Sequence, residues 1–190
     1  MKVLVLTLLA TIPLSAQWRH FGSDHVQPTG FFGAGFTEPL NPAARALDTG
    51  WNVTGGVGVT GKYVGVLVDA MYTDFGLNRA TLARVGVPRG DQQYWAVTLD
   101  PIVHVNPHGP VDFYITGGGG IYSQKTQFKL RGGRDDVLFS DTLYKPGVDG
   151  GVGFAFHVGY QIKIFAEARY HYMFTHSGSS FIPVSFGVRF

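Results

Sequence analysis

The sequence predicts an all-β protein: an eight-stranded antiparallel up-and-down transmembrane β-barrel. Three observations predict it. Apolar residues recur with a period of two in one segment after another. Glycine and aromatics are abundant (27 Gly, 15 Phe, 9 Tyr and 3 Trp in 190 residues) while only 15% of residues are charged, against roughly 25% in an ordinary soluble domain. The connections between segments alternate between tight turns and long, charged loops, the layout of an up-and-down meander.

The clearest strand is the last. Ile182, Val184, Phe186, Val188 and Phe190 alternate with Phe181, Pro183, Ser185, Gly187 and Arg189, giving two unlike faces. In the segment before it, Ile162, Ile164, Ala166, Ala168, Tyr170, Tyr172 and Phe174 oppose Lys163, Phe165, Glu167, Arg169, His171 and Met173. A helix would scatter those charges around its circumference. Val148 to Val158, Val111 to Tyr122, Trp95 to Val105, Val64 to Thr73 and Trp51 to Val59 repeat the pattern. Thr29 to Thr37 makes the eighth strand, its register blurred by Phe31 and Phe32. Gly61-Lys62, Asn106 to Pro110 and Gly159-Tyr160 read as tight turns. Glu38 to Gly50, Gly76 to Gln92, Lys129 to Gly147 and Thr175 to Ser180 read as long loops. Eight strands bring both chain ends to the short-turn side.

The start of the chain has the layout of a secretory signal peptide: basic Lys2, an apolar run from Val3 to Ile12, Pro13, then Leu14-Ser15-Ala16 as a cleavage site. The run is too short to span a bilayer as a helix, which takes about 20 residues. The expected organisation is a signal peptide over 1–16, an N-terminal periplasmic segment over 17–28 and the barrel over 29–190.

The apolar face points outward. The opposite face is rich in Gly, Ala, Ser and Thr, which suits the narrow interior of an eight-stranded barrel. Trp51, Tyr72, Trp95, Tyr170, Tyr172 and Phe174 gather near the long-loop end, and Phe113, Phe156 and Phe190 near the short-turn end, as two membrane girdles would. Pro101 and Pro183 conflict with closed ladders, and a bulge at each is the expected remedy.

The ending Ile182-Pro-Val-Ser-Phe-Gly-Val-Arg-Phe190 resembles the terminal strand of bacterial outer-membrane barrels. The rest of the mature chain resembles the small OmpA/OmpX-like eight-stranded barrels. That resemblance implies a diderm bacterium, insertion into the outer membrane, short turns in the periplasm and long loops outside the cell. It also implies that Val184, Phe186, Val188 and Phe190 are read by the barrel-assembly machinery. The partners expected are outer-membrane lipid and lipopolysaccharide, with room for a surface partner at the long loops.

Composition excludes other classes. With 15 Lys+Arg against 13 Asp+Glu, there is no basic footprint for nucleic acid. The absence of cysteine removes disulfides and thiolate sites. Seven histidines form no metal-binding spacing, and Gly117 to Gly120 lack the Lys-Ser/Thr of a phosphate loop; no cofactor or metal is expected.

The candidate site is a polar network in the lumen: Asp69, Asp100, Asp112, Asp149 and Glu167 facing Lys163, Arg169 and Arg189, with His104, His157 and His171 among them. Buried charges persist by pairing, so this network reads as a plug, and the function as a structural, envelope or surface-interaction role. A narrow diffusion channel is the alternative. Lipid A deacylases and palmitoyltransferases are barrels of this size, but the deacylase pattern of His and Ser two apart on one strand face is missing: Met173 follows His171 at that spacing, and Gly178 follows His176. No enzyme is expected. Arg131, Arg134, Asp135, Asp136 and Asp141 in the Lys129 to Gly147 loop give a mixed-charge rim where Arg could meet lipopolysaccharide phosphates.

Overall fold

The computed structural model of the chain describes residues 26–190 apart from 41, 108, 130–136, 159–161 and 176–177. The expected signal peptide therefore lies outside the described residues, as do Arg131, Arg134, Asp135 and Asp136. Eight strands follow one another: β1 (Gln27–Pro39), β2 (Gly50–Thr60), β3 (Val64–Gly76), β4 (Arg89–His104), β5 (Val111–Lys129), β6 (Val137–His157), β7 (Lys163–Met173) and β8 (Ser179–Arg189). Each pairs antiparallel with its neighbours, and β1 closes on β8 from Phe31 opposite Arg189 to Pro39 opposite Phe181. β1 begins at Gln27, two residues before the expected start of the barrel.

Burial follows the alternation. Along β4, Tyr94, Ala96, Thr98, Asp100, Ile102 and His104 are buried while Trp95, Val97, Leu99, Pro101 and Val103 are exposed. Leu99, Ile121 and Val152 expose 56%, 66% and 60% of their surface. An apolar belt of that extent around a closed barrel is a lipid-facing surface, because water would penalise it at every strand. Trp51, Tyr72 and Trp95 form a row at its long-loop edge, with ring centroids 5.2 and 4.8 Å apart. Phe113, Phe154 and Phe156 mark the other edge.

Three expectations are corrected. Neither proline makes a bulge. The β4–β5 ladder passes from Leu99 opposite Gly119 to Ile102 opposite Thr116 without a change of register, and the β7–β8 ladder passes from Ala168 opposite Val184 to His171 opposite Phe181 likewise. Each proline interrupts one ladder and stays paired on its other side, with Val66 and with Thr37. The one register shift among the described residues lies at Phe128/Lys129. At the interruption beside Pro101, β5 supplies glycine: a Cβ on Gly118 or Gly120 would run into the carbonyl oxygens of Leu99 or Val97.

Secondly, much of the expected Lys129 to Gly147 loop is strand, since β5 and β6 run 19 and 21 residues against the roughly 9–11 that span a membrane. Thirdly, the Gly76 to Gln92 loop holds a short helix α1 (Arg79–Val85). Asn78 caps it, accepting from the Thr81 N–H at 2.9 Å, and Gly86 ends it at φ 73°. A 3-10 turn (Ala43–Arg45) and an isolated bridge between Leu47 and Leu77 join this segment to the β1–β2 connection. Together they lie over the long-loop mouth.

Candidate functional site

Strand alternation delivers one residue in two to a lumen that the side chains fill in successive layers. At the short-turn end, His104 Nδ1 is 2.8 Å from Asp112 Oδ2, Lys163 Nζ is 3.3 Å from the same oxygen, and Thr60 Oγ1 is 3.1 Å from His104 Nε2. The next layer is apolar: Phe31, Leu67, Ile102, Tyr114, Ala155 and Phe165. Arg189 enters it with its guanidinium 4.5 Å from the Tyr114 ring and 5.5–5.6 Å from the rings of Phe165 and Phe31. The face of each ring presents negative quadrupole to the cation. The Arg189 guanidinium makes no hydrogen bond among the described residues.

Mid-lumen, Arg169 reaches from β7 across the barrel. Its Nη1 lies 2.8 Å from Asp69 Oδ2 on β3, 2.8 Å from Asp100 Oδ2 on β4 and 3.7 Å from Asp149 Oδ1 on β6. Its Nε donates to Glu167 Oε1 on its own strand. Thr54 and Thr98 donate to Asp69 and Asp100 at 2.8 Å. Four carboxylates thus converge on one bonded guanidinium. Several polar atoms here, among them both oxygens of Asp149, Glu167 Oε2 and His171 Nε2, have no hydrogen-bond partner among the described residues. The packing leaves a void of roughly one water molecule's size, lined by Thr54, Asp69, Thr98, Glu167 and His171 among others.

Above this layer His171 Nδ1 meets the Tyr122 hydroxyl at 2.8 Å and its ring stacks on Phe181 at 5.3 Å. Phe75, Tyr94 and Phe181 then pack with centroids 5.1–5.9 Å apart, joined by Met71, Met173, Leu47 and Leu77. Leu82 of α1 packs against them from the mouth.

The sequence-derived site residues therefore fall into separate groups. Asp69, Asp100, Asp149, Glu167 and Arg169 meet in one cluster; Asp112 and Lys163 meet at the rim with His104; His171 joins the aromatic layer; Arg189 stands alone among rings. His157 is a correction: its parity points inward, but β6 ends there and the residue is exposed at the short-turn rim. Asn52 is a lumenal polar residue outside the network read from the sequence. It donates to Thr37 Oγ1 at 3.0 Å and accepts from Ser185 at 2.8 Å, tying β2 to the β1–β8 seam. An inward amide in a strand was its one signal. Among the described residues, no three His, Asp or Glu side chains are grouped to hold a metal ion.

This architecture is similar to that of known membrane barrels. Neisserial surface protein A matches with a TM-score of 0.61 at 17% identity, over 87% of this chain and 98% of that one. The fold is that of a small outer-membrane β-barrel. A major outer membrane protein from Thermus thermophilus matches at 0.59 with 11% identity, over 85% of this chain and 98% of that one. The attachment invasion locus protein Ail of Yersinia pestis matches at 0.51 with 17% identity, over 88% of this chain and 100% of that one. No protein-family model matches the sequence, and no curated protein does.

Proposed function

We propose that this protein is a closed barrel of the bacterial outer membrane, with a structural, envelope or surface-interaction role, its lumen plugged rather than open. The observation that carries the reading is Arg169, whose one guanidinium ties β3, β4, β6 and β7 together across the middle of the lumen. A side chain so placed both blocks the cross-section and braces the wall. The aromatic layer and the α1 cap close the same path a second time, from the long-loop side. In this reading the lumenal carboxylates are structural.

The outward belt meets lipid, and the charged long-loop end meets lipopolysaccharide or a surface partner. Val184, Phe186, Val188 and Phe190 form the terminal strand's outer edge and serve as the barrel-assembly signal. The unpartnered carboxylate oxygens around the mid-lumen void favour the second reading, a narrow path for small solutes. A lipid A enzyme has less support, since Ser179 is engaged by Tyr94 at 3.0 Å.

Planar-bilayer recording separates the readings. The plugged barrel, with insertion verified by heat-dependent gel migration, stays silent. Reproducible unitary steps from the native chain, changed by substitutions at Arg169, would replace the plug with a channel.

A further inference from the structure

A glycine on β5 lets two lumenal carboxyls meet. Asp100 falls opposite Gly118 in the register that the β4–β5 ladder keeps from Leu99 to Ile102, and Gly118 is paired with Asp149 on β6. A Cβ on Gly118 would lie 2.5 Å from Asp100 Oδ1, so the carboxyl fills the space that a β5 side chain would take. From there it comes within hydrogen-bonding reach of Asp149.

The two groups differ from the other carboxyls of this level. Asp69 has Thr54 on one oxygen and Arg169 on the other. Asp100 has Thr98 and Arg169 on Oδ2, but Oδ1 has no hydrogen-bond partner among the described residues. Asp149 has none on either oxygen, and Arg169 Nη1 stands 3.7 Å from its Oδ1. Both side chains are at 0% exposure. Two ionised carboxylates present only acceptors to one another, and away from water they repel unless one carries a hydrogen. The charged and titratable groups around the pair are Asp69 from β3, Tyr122 from β5, and Glu167, Arg169 and His171 from β7, with Tyr114 and Arg189 one layer below. One bonded guanidinium thus serves four carboxyls. His171, paired opposite Asp149, is joined through Nδ1 to Tyr122.

We propose that Asp100 and Asp149 form a binding site for one proton, carried by Asp149 at neutral pH and donated to Asp100 Oδ1. Asp149 is the carrier because neither of its oxygens is engaged elsewhere among the described residues. The bond fastens β4 to β6 over β5, next to the place where Pro101 interrupts the β4–β5 ladder. Hydroxide removes the proton as water and leaves two like charges facing each other across Gly118. The strut therefore holds from acid to neutral pH and releases in base. A folded barrel that keeps a proton the unfolded chain has already lost is less stable as pH rises. Arg169 keeps its bonds to Asp69 and Glu167 in either state, so the proton is separate from the plug.

The test is infrared spectroscopy of the folded barrel in ester-free detergent at neutral pH, where surface carboxylates are ionised. The expected result is the carbonyl band of a protonated carboxylic acid, shifted by heavy water, in the native chain and in E167Q but not in D149N. Urea unfolding is the second readout. From about pH 5 to pH 8 the unfolding constant rises about tenfold per pH unit more steeply in the native chain than in D149N, the slope of one proton. Histidines titrate in the same range, but both chains carry them all, so the difference between the slopes reports the pair. A native barrel without the band overturns the proposal by itself, whether or not D149N folds. So does a band that survives in D149N, or one lost in E167Q, or equal slopes in the native chain and D149N. Neither readout depends on whether the lumen is open or plugged.

Discussion

Two neighbouring levels of the lumen fill the same cross-section with opposite chemistry. Around Arg169, closure depends on direction: one guanidinium divides its N–H groups among carboxylates from separate strands, and those carboxylates exceed the cations bonded to them. Around Phe181, closure depends on volume. Phe75, Tyr94, Tyr122 and Met173 pack with few polar atoms to satisfy. An ionic layer that loses one partner leaves uncompensated buried charge, whereas an apolar layer that loses atoms leaves a gap its neighbours can partly fill. The two levels therefore stabilise the barrel in different ways, and the ionic one gathers carboxylates of four strands on a single side chain.

The largest effect expected from breaking that contrast is at Arg169. Arg169→Ala strands Asp69, Asp100, Asp149 and Glu167 together and lowers unfolding stability by about 3–5 kcal/mol. Urea titration of the vesicle-inserted barrel measures it, and the bilayer stays silent because the aromatic level still fills the cross-section. Met173→Ala removes apolar volume one level higher. The expected cost is about 2–3 kcal/mol, toward the low end for a buried methionine, and the bilayer stays silent because the Arg169 layer below is untouched. Conductance in either single variant would show that the level left intact does not close the lumen by itself.

The two levels were not equally legible in the sequence. Parity along β7 places Glu167, Arg169 and His171 on one face, so the lumenal side of the wall could be read residue by residue. The partners could not. Asp69, Asp100 and Asp149 are brought to Arg169 by the stagger of four strands, and no spacing in the sequence encodes that stagger. Parity also fails where a strand ends, as at His157, which points inward with no lumen left to enter. Above the membrane the signal weakens for another reason. The upper parts of β5 and β6 have no lipid on either side, so their polar residues do not alternate with apolar ones and read as loop. The cap is a different case: Asn78, seven residues of helical spacing and Gly86 were a start and stop signal, hidden inside a segment taken whole as a connection.

Glu167→Ala sharpens the contrast from inside the ionic level. It removes one charge-assisted bond to Arg169, and with it a carboxylate oxygen that has no partner of its own. Hydrogen bonds to charged groups contribute about 1.5–3 kcal/mol, and relief of the carboxylate excess holds the loss near 1.5 kcal/mol. Arg169 keeps Asp69 and Asp100, so the bilayer remains silent. A loss as large as that of Arg169→Ala would mean that Glu167, not the cross-barrel aspartates, fixes the guanidinium.

The smallest effect belongs to a neutral polar link in the aromatic level, between Tyr94 and Ser179. Tyr94 Oη and Ser179 Oγ are 3.0 Å apart, joining β4 to the top of β8. Tyr94→Phe deletes that bond and leaves the ring contacts with Phe75 and Phe181, at 5.6 and 5.1 Å, in place. The expected loss is about 1 kcal/mol, the net worth of a neutral hydrogen bond, read as a small downward shift in the urea midpoint with no change in conductance. If that substitution instead cost as much as Met173→Ala, the aromatic level would be held by direction after all, and its difference from the ionic level would be one of degree.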